Sequence, residues 1–204
     1  MADSSPPDAP PPADRARIAA LLDFWFGAAG DVARDRPRAV WFRREPGFDA
    51  ACRAFLAECG EAAAGRHDHW LGWRDGALAL ILLLDQLPRN LFRELPQAYA
   101  TDGAARHAAA TAIARGFAVA LPPVRRRFVY IPFMHSENLA DQERSLALFE
   151  TMQDDPDNAD SLAAARRHRG IIARFGRFPH RNAILGRTTT PDEAAFLAGP
   201  DAGF

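Results

Sequence analysis

The chain has 204 residues, a length that suits a single domain. Its apolar fraction of 48% is enough for a sizeable core, and its formal net charge of −1 gives no global field that would attract nucleic acid or an anionic membrane. All 25 basic residues are arginine. Without lysine, a phosphate-binding P-loop and a pyridoxal Schiff base are both excluded.

The first residues of the chain differ in composition from the rest. Residues 1–13 are mainly proline, alanine, serine and aspartate, which cannot form a core. We expect a disordered tail over residues 1–13 and one all-α domain over residues 14–204. The segment has no basic or apolar region typical of a secretory signal. Because the longest apolar run, Ala77–Leu84, is also too short to span a bilayer, we expect a cytoplasmic protein without membrane contact.

The remainder of the chain alternates helix-forming segments with capping residues. From Ile18 to Phe26 the apolar residues recur at helical spacing, and Gly27 is placed to end that helix. The only β-like run, residues 128–133, contains Pro132, which argues against a strand. The pattern predicts an all-α domain of about seven or eight helices. Further helices are predicted to begin at Asp49, Asp75, Asp102, Ser136 or Asp141, Asp160 or Ser161, and the capping box Thr190–Glu193, three of them ending at Gly65, Gly116 and Gly176.

The two cysteines, Cys52 and Cys59, are seven residues apart. On a helix they would lie roughly 10 Å apart along the axis, which is too far for a disulfide. Two buried thiols in a reducing compartment are therefore predicted.

The segment LDQLPRNLFR, residues 84–93, is the first candidate for a polar site. Asp85 and Arg89 are four residues apart, as are Gln86 and Asn90, so each pair shares a face if the helix continues past the proline. Asp85 directly follows an apolar run and is expected near the core, where a carboxylate requires a cationic partner such as Arg89.

The segment RFGRFPHRNAILGR, residues 174–187, resembles the first one, since an Arg-Asn pair again follows a proline. Arg174, Arg177 and Arg181 recur at near-helical spacing beside phenylalanines, and His180 and Asn182 add neutral hydrogen-bonding groups. Convergent guanidinium groups beside aromatic rings predict a site for a carboxylate or phosphate. We expect both segments to contribute to one pocket, although arginines that simply stack on rings and pair with carboxylates are an equally simple explanation.

Between these segments lies His135-Ser136-Glu137. A serine hydrolase is disfavoured, because adjacent residues do not face each other and the glycines of a nucleophile elbow are missing. Ser136 is more simply a helix cap. His135 and Glu137 could instead form an acid–base pair beside a bound anion, which would give a hydrolase or lyase.

A metal site formed from His135, Glu137, Asp141, His168 and His180 matches no known ligand spacing. We therefore predict neither a metal nor a cofactor. Charge is segregated late in the chain, with acidic residues over 137–160 and arginines over 161–187. Such a basic stretch could bind RNA or phosphate, but pairing with the acidic helix in an antiparallel hairpin is favoured, and no nucleic acid partner is expected.

Five stretches together resemble one protein family. They are DFWFG (Asp23–Gly27), WF (Trp41–Phe42), LALILLLDQLPRN (Leu78–Asn90), YIPFMHSENLADQ (Tyr130–Gln142) and RFGRFPHRNAILGR (Arg174–Arg187). The chain is similar, over residues 16–197, to the domain-of-unknown-function family 924 of bacterial, fungal and plant proteins.

The resemblance implies an all-α fold of tetratricopeptide-like helical hairpins and no established activity. The characteristic polar residues of the family correspond to Asp85, Gln86, Arg89, Asn90, His135, Ser136, Glu137, Gln142, Arg174, Arg177, His180, Arg181 and Asn182.

Four functional hypotheses follow. The leading one is a pocket for a small anionic ligand or the acidic end of a peptide, with arginines binding charge and Asp85 holding an arginine in place. The others are an enzyme that uses His135, a scaffold whose concave helical surface binds peptides, and a buried polar network with a purely structural role.

Overall fold

The computed structural model describes residues 9–153 and 155–199, and these residues form helices and turns without a strand. The α-helices are α1 (Pro12–Phe26), α2 (Pro46–Cys52), α3 (Leu56–Ala63), α4 (Arg74–Ile81), α5 (Leu87–Leu91), α6 (Asp102–Ala114), α7 (Pro123–Met134), α8 (Leu139–Glu150), α9 (Ala159–Phe175) and α10 (Pro191–Leu197).

Two pairs of these helices are continuous. A 3-10 turn, Arg53–Phe55, joins α2 to α3, and a π-helical turn, Leu82–Gln86, joins α4 to α5, so the described α-helices form eight rods. The prediction of an all-α domain of seven or eight helices is confirmed, and the tetratricopeptide-like arrangement stays a prediction.

The rod formed by α4, the π turn and α5 lies at the centre of the molecule. Residues 76–88 are all buried, and the rod packs against α1, α2, α3, α6 and α7. A helix that is apolar on every side is stable only when other elements surround it, since each fully buried leucine contributes about 1.5–3 kcal/mol. At Gly76 a Cβ atom would lie 2.5 Å from the backbone oxygen of Trp70, so only glycine permits this close approach.

The β-like run 128–133 forms part of helix α7. Pro122 and Pro123 begin this helix, where a missing N–H leaves no intrahelical bond unmade. Pro132 lies inside it and is buried together with the residues around it. Aromatic and β-branched residues favour strands only weakly, and burial against α4, α6 and α8 outweighs that preference.

Several helix starts differ from the predictions. Helix α1 begins at Pro12, two residues before the expected boundary of the domain, while residues 1–8 of the expected tail lie outside the described residues. Glu45, rather than Asp49, caps α2, because its carboxylate accepts hydrogen bonds from the backbone N–H groups of residues 47 and 48. Asn138, rather than Ser136 or Asp141, caps α8. These segments offer several capping side chains, and tertiary contacts decide which one is used.

The predicted helix ends are closer to the structure. Gly27, Gly65, Gly116 and Gly176 all have positive φ, which glycine adopts without the strain that a Cβ atom would cause. The capping box at Thr190 is present, with reciprocal hydrogen bonds to Glu193.

Charges on α8 and α9 pair as predicted. The guanidinium of Arg169 lies 3.4 Å from the carboxylate of Glu143, and that of Arg166 lies 4.0 Å from Glu150. The later arginine pairs with the earlier glutamate, so the two helices form an antiparallel hairpin. None of the helices in the described ranges combines the length and apolar character that crossing a membrane requires.

Both cysteines are buried and free, as predicted. Burial raises the pKa of Cys52 to about 11 and that of Cys59 to about 12. The reactive thiolate form is therefore scarce at neutral pH.

Candidate functional site

The carboxylate of Asp85 lies at the centre of a buried polar network. The π turn places this residue, which is 0% exposed, beside the end of α7. His135 Nδ1 lies 2.7 Å from Asp85 Oδ1, and Arg89 Nη1 lies 3.3 Å from the same oxygen. Gln86 Nε2 donates to the other carboxylate oxygen. The carboxylate therefore faces three donors and no solvent.

The protonation states follow from these contacts. Burial by itself raises the pKa of Asp85, but the adjacent His135 and Arg89 and the donated hydrogen bonds outweigh it and hold the pKa well below its usual range. Burial and the charge of Arg89 lower the pKa of His135. Since His135 is then neutral at pH 7, Arg89 and hydrogen bonds stabilise the ionised carboxylate at that pH, and the charge of His135 contributes only in acid, where the imidazole is protonated. The imidazole donates its Nδ1–H to Asp85, and its Nε2 carries a lone pair.

A second carboxylate, Asp102, connects the two Arg-Asn segments. Its Oδ1 lies 2.9 Å from Arg89 Nη2, and its Oδ2 lies 3.1 Å from Arg181 Nη1. The guanidinium of Arg181 lies over the rings of Tyr99, at 4.5 Å, and Phe178, at 4.6 Å. Its Nη2 donates to the backbone oxygen of His135 at 3.0 Å. The network therefore joins α5, α6, the end of α7 and the segment after α9.

The imidazoles of His135, His168 and His180 lie on the less buried side of this network. The side chain of His135 is 16% exposed, and its ring centroid lies 6.4 Å from that of His168. Burial lowers the pKa of His168 to about 3 and that of His180 to about 4, with further lowering by nearby positive charges that include Arg181. The described part of the chain gives His135 Nε2 no hydrogen-bond partner. Among the described residues, no three His, Cys, Asp or Glu side chains are placed to hold a metal ion.

Glu137 belongs to a different cluster from His135. Arg187 holds its carboxylate through two hydrogen bonds of 2.7 and 3.0 Å, and the backbone N–H of Phe178 donates to it at 2.8 Å. The predicted acid–base pairing of Glu137 with His135 is not formed, because Asp85 takes that position.

The cluster around Glu137 and Arg187, called the outer cluster here, also contains Arg177 and Asn182. Arg177 donates to both carboxylate oxygens of Glu193, at 2.6 and 2.8 Å, and Asn182 Nδ2 lies 3.2 Å from Oε2 of that residue. These bonds attach α10 to the segment after α9. Arg177 therefore binds a carboxylate of its own chain and lies outside the Asp85 network.

Two further predicted site residues have local roles. Asn90 donates to the backbone oxygen of Gln86 at 3.0 Å and accepts from Arg93 at 2.8 Å. Arg174 is exposed on α9 and lies over the ring of Phe175 at 4.6 Å. Arg174 does not reach the network, because it lies on the solvent side of its helix.

Two cavities of the described structure lie away from the network. One, of about 280 Å³, is formed by α1, α3 and residues of the central rod, and the other, of about 570 Å³, lies between α1 and the chain around Trp73. Neither is lined by a predicted site residue. A ligand at the network would therefore occupy neither of these two cavities.

Sequence reasoning missed several members of the site. From the sequence, Asp102 is predicted only to begin a helix. An aspartate at a helix start is explained by its favourable interaction with the helix dipole, so nothing in the sequence indicates that it also binds Arg89 and Arg181. Tyr99 carries no motif. Gln142, whose position the family resemblance marked, donates to the backbone oxygens of Met134 and Ser136, both at 2.6 Å, and fixes the end of α7 next to His135.

Fold and site together define an all-α protein in which a buried Asp–His–Arg network joins distant segments of the chain. The profile of a family described as bacterial protein of unknown function (DUF924) matches residues 21–201, and the chain belongs to that family. A solved structure of a protein of unknown function from Agrobacterium tumefaciens is 40% identical, with a TM-score of 0.80, and the match covers 90% of this chain and 98% of that one. None of the curated proteins matches the chain.

Proposed function

We propose that this protein binds a small anionic ligand on the less buried side of the network, at the surface formed by Tyr99, His135, His168, His180 and Arg181. The observation that supports this most strongly is the meeting of Arg89 and Arg181 at Asp102. Two guanidinium groups from distant segments share one carboxylate, beside an imidazole with an unpaired nitrogen. Packing alone requires no such arrangement.

The distribution of charge within the network supports an anion. The two carboxylates of the network, Asp85 and Asp102, equal its two guanidinium groups in number. Affinity for an anion therefore depends on where these charges lie rather than on a surplus of positive charge. The Asp85 carboxylate is fully buried, whereas the side chain of Arg89 is 19% exposed. Burial is the main cause that lowers the pKa of His168, and the charge of Arg181 adds to it, so this guanidinium lies close to the imidazole.

The chemistry of the surface limits the ligand. Guanidinium groups bind carboxylates and phosphates, so the ligand is a small carboxylate, a phosphate or the acidic end of a peptide. Neutral imidazoles supply hydrogen bonds that orient such a group, and Arg181, held between two rings, is pre-organised for it.

Thermal unfolding at low ionic strength, with a panel of phosphate, sulfate and small mono- and dicarboxylates, tests the proposal. A ligand at about 100 times its Kd stabilises a folded protein by about 2.7 kcal/mol, which for this size corresponds to a Tm rise of about 5–10 °C. We expect at least one anion to produce such a rise in the parent protein and in no variant that lacks Arg181.

Arg125→Gln is the matched control for Arg181→Gln. The side chain of Arg125 is 8% exposed, its Nε lies 2.5 Å from an aspartate oxygen, and its guanidinium lies 5.0 Å from the centroid of a phenylalanine ring. Arg181 is likewise buried, paired with an aspartate and stacked on aromatic rings. His168→Gln tests the surface at a side chain whose lowered pKa leaves it neutral at pH 7. If no anion raises the Tm of the parent, or if Arg125→Gln abolishes the rise as fully as Arg181→Gln, the proposal is wrong.

A further inference from the structure

We infer that His135 is a general base, oriented by Asp85, which accepts a proton at Nε2 from the anion or from a water molecule beside it. The inference rests on the proposed function for the class of its substrate, a small anion. The Asp85–His135 pair, called the dyad below, is independent of the proposed function, because it is formed entirely by described side chains.

The geometry assigns different roles to the two ring nitrogens. Nδ1 lies 2.7 Å from Asp85 Oδ1, so its N–H is directed at the carboxylate. Among the described residues the His135 ring forms one hydrogen bond, at Nδ1, which leaves Nε2 available on a side chain that is 16% exposed. A carboxylate that fixes one nitrogen while the other carries a lone pair is the arrangement that general-base histidines require.

Both the ring and its backbone are fixed in place. The carboxylate of Asp85 cannot rotate freely, because Gln86 donates to it and Arg89 forms an ion pair with it. At the other end, Arg181 binds the backbone oxygen of His135, and Gln142 binds the backbone oxygens on either side of it. A base held in this way loses little entropy when it accepts a proton, because no reorientation is needed.

The central helix departs from α-geometry where the dyad begins. Asp85 lies in the π turn Leu82–Gln86, and the hydroxyl of Thr101 donates to the backbone oxygen of Leu84 within that turn at 2.6 Å. Single π turns inside α-helices are frequent at functional sites. An uninterrupted α-helix would rotate the residues that follow the turn, so the π turn sets the relative directions of Asp85 and Arg89.

The proton transfer balances within the site. An O–H bond of the substrate or of water breaks, its electron pair stays on oxygen, and a new Nε2–H bond forms. The resulting imidazolium lies beside the ionised Asp85, which stabilises it without taking the proton. The proton then leaves to the product or to solvent through the exposed part of the ring.

Two measurements on the full chain test the inference without a known substrate. Nitrogen-15 NMR of the parent protein at pH 7 should show His135 protonated at Nδ1 and unprotonated at Nε2. Labelling with diethyl pyrocarbonate, followed by peptide mass spectrometry, should modify His135 at least as fast as His107, which is exposed and has no carboxylate partner in the described structure. Asp85→Asn should slow the labelling of His135 by at least about tenfold, because the tautomer is no longer fixed.

The controls separate this inference from the proposed function. Arg125→Gln should leave the labelling of His135 unchanged. An Nε2–H tautomer, or labelling of His135 at least about tenfold slower than that of His107, overturns the general base even if an anion raises the Tm. Fast labelling of His135 that no anion in the panel slows supports the base and overturns the anionic substrate. Fast labelling that is slowed by an anion that also raises the Tm supports both.

Discussion

Replacing Asp85 with asparagine removes the charge at the centre of the network while keeping the shape of the side chain. The asparagine can accept one of the donated hydrogen bonds, but its NH₂ group then faces another donor, and Arg89 keeps only Asp102 as an anionic partner. Breaking a buried, hydrogen-bonded ion pair by removing one partner costs about 3–5 kcal/mol. For a chain of this size, that loss lowers the Tm by about 6–20 °C.

Urea unfolding followed by circular dichroism, at pH 7 and at pH 3, measures this effect. Because the folded state holds the pKa of Asp85 below its usual value, the carboxylate contributes stability above the ordinary aspartate pKa of about 3.9, and this contribution is lost as the pH falls through the folded-state pKa. In a His135→Gln background, where no imidazole titrates beside the carboxylate, the effect of Asp85→Asn should therefore shrink at pH 3. Asp75→Asn is the control, since Asp75 is 47% exposed and should change stability by less than about 0.5 kcal/mol. A loss below about 1 kcal/mol for Asp85→Asn at pH 7 would show that the carboxylate is not the ionised centre of the network.

Other predictions concern the rest of the molecule. Hydrogen bonds from Arg177 and from the backbone of residue 190 lower the pKa of Glu193 to about 2. The carboxylate of Glu193 therefore contributes to folding stability above its ordinary pKa, and this contribution is lost in acid. Glu193→Gln should move acid unfolding, followed by circular dichroism, to higher pH, and an unchanged transition would contradict this role. The two buried thiols should resist a disulfide reagent at pH 8 and react fully in urea, and rapid labelling of the native protein would contradict their burial. Gly76→Ala should destabilise the protein by about 1–3 kcal/mol in urea unfolding, because the new methyl group meets the backbone of Trp70. Gly60→Ala is the control: open space surrounds this position, and the substitution should stabilise the protein by about 0.4–1 kcal/mol. Equal effects of the two substitutions would contradict the close approach at Gly76.

The fold could be predicted from the sequence wherever a local signal and tertiary packing agree. Helical apolar spacing and terminal glycines located α1 and the end of α9, because both depend on residues close in sequence. Helix α7 could not be predicted, since its residues favour a strand locally and only burial on several sides makes them helical. Propensity is a weak signal compared with the burial of ten of the twelve residues of this helix.

The candidate site shows the same division. Asp85 and Arg89 were predictable as a pair, because four residues on a helix bring them together. Their link to Arg181 depends on Asp102, which is 79 residues away from that arginine and looks like an ordinary helix start. The sequence marked which residues are chemically unusual, whereas only the packing of α6 against the central rod and α7 determines which of them meet.

The separation of the polar residues into two groups bears on what the inner network does. Arg177, Arg187, Glu137 and Glu193 form bidentate pairs that attach the C-terminal segment, and stability explains them fully. The inner network is different, because fully buried charges lose their hydration, and apolar residues of similar volume would usually serve packing as well or better. What apolar residues cannot do is bind one nitrogen of an imidazole and so favour one tautomer of the ring. Asp85 binds the ring of His135, Arg181 binds its backbone oxygen, and Gln142 binds the backbone oxygens of the residues on either side. The position of that ring is therefore the feature that the inner network determines and that simple packing would leave undefined.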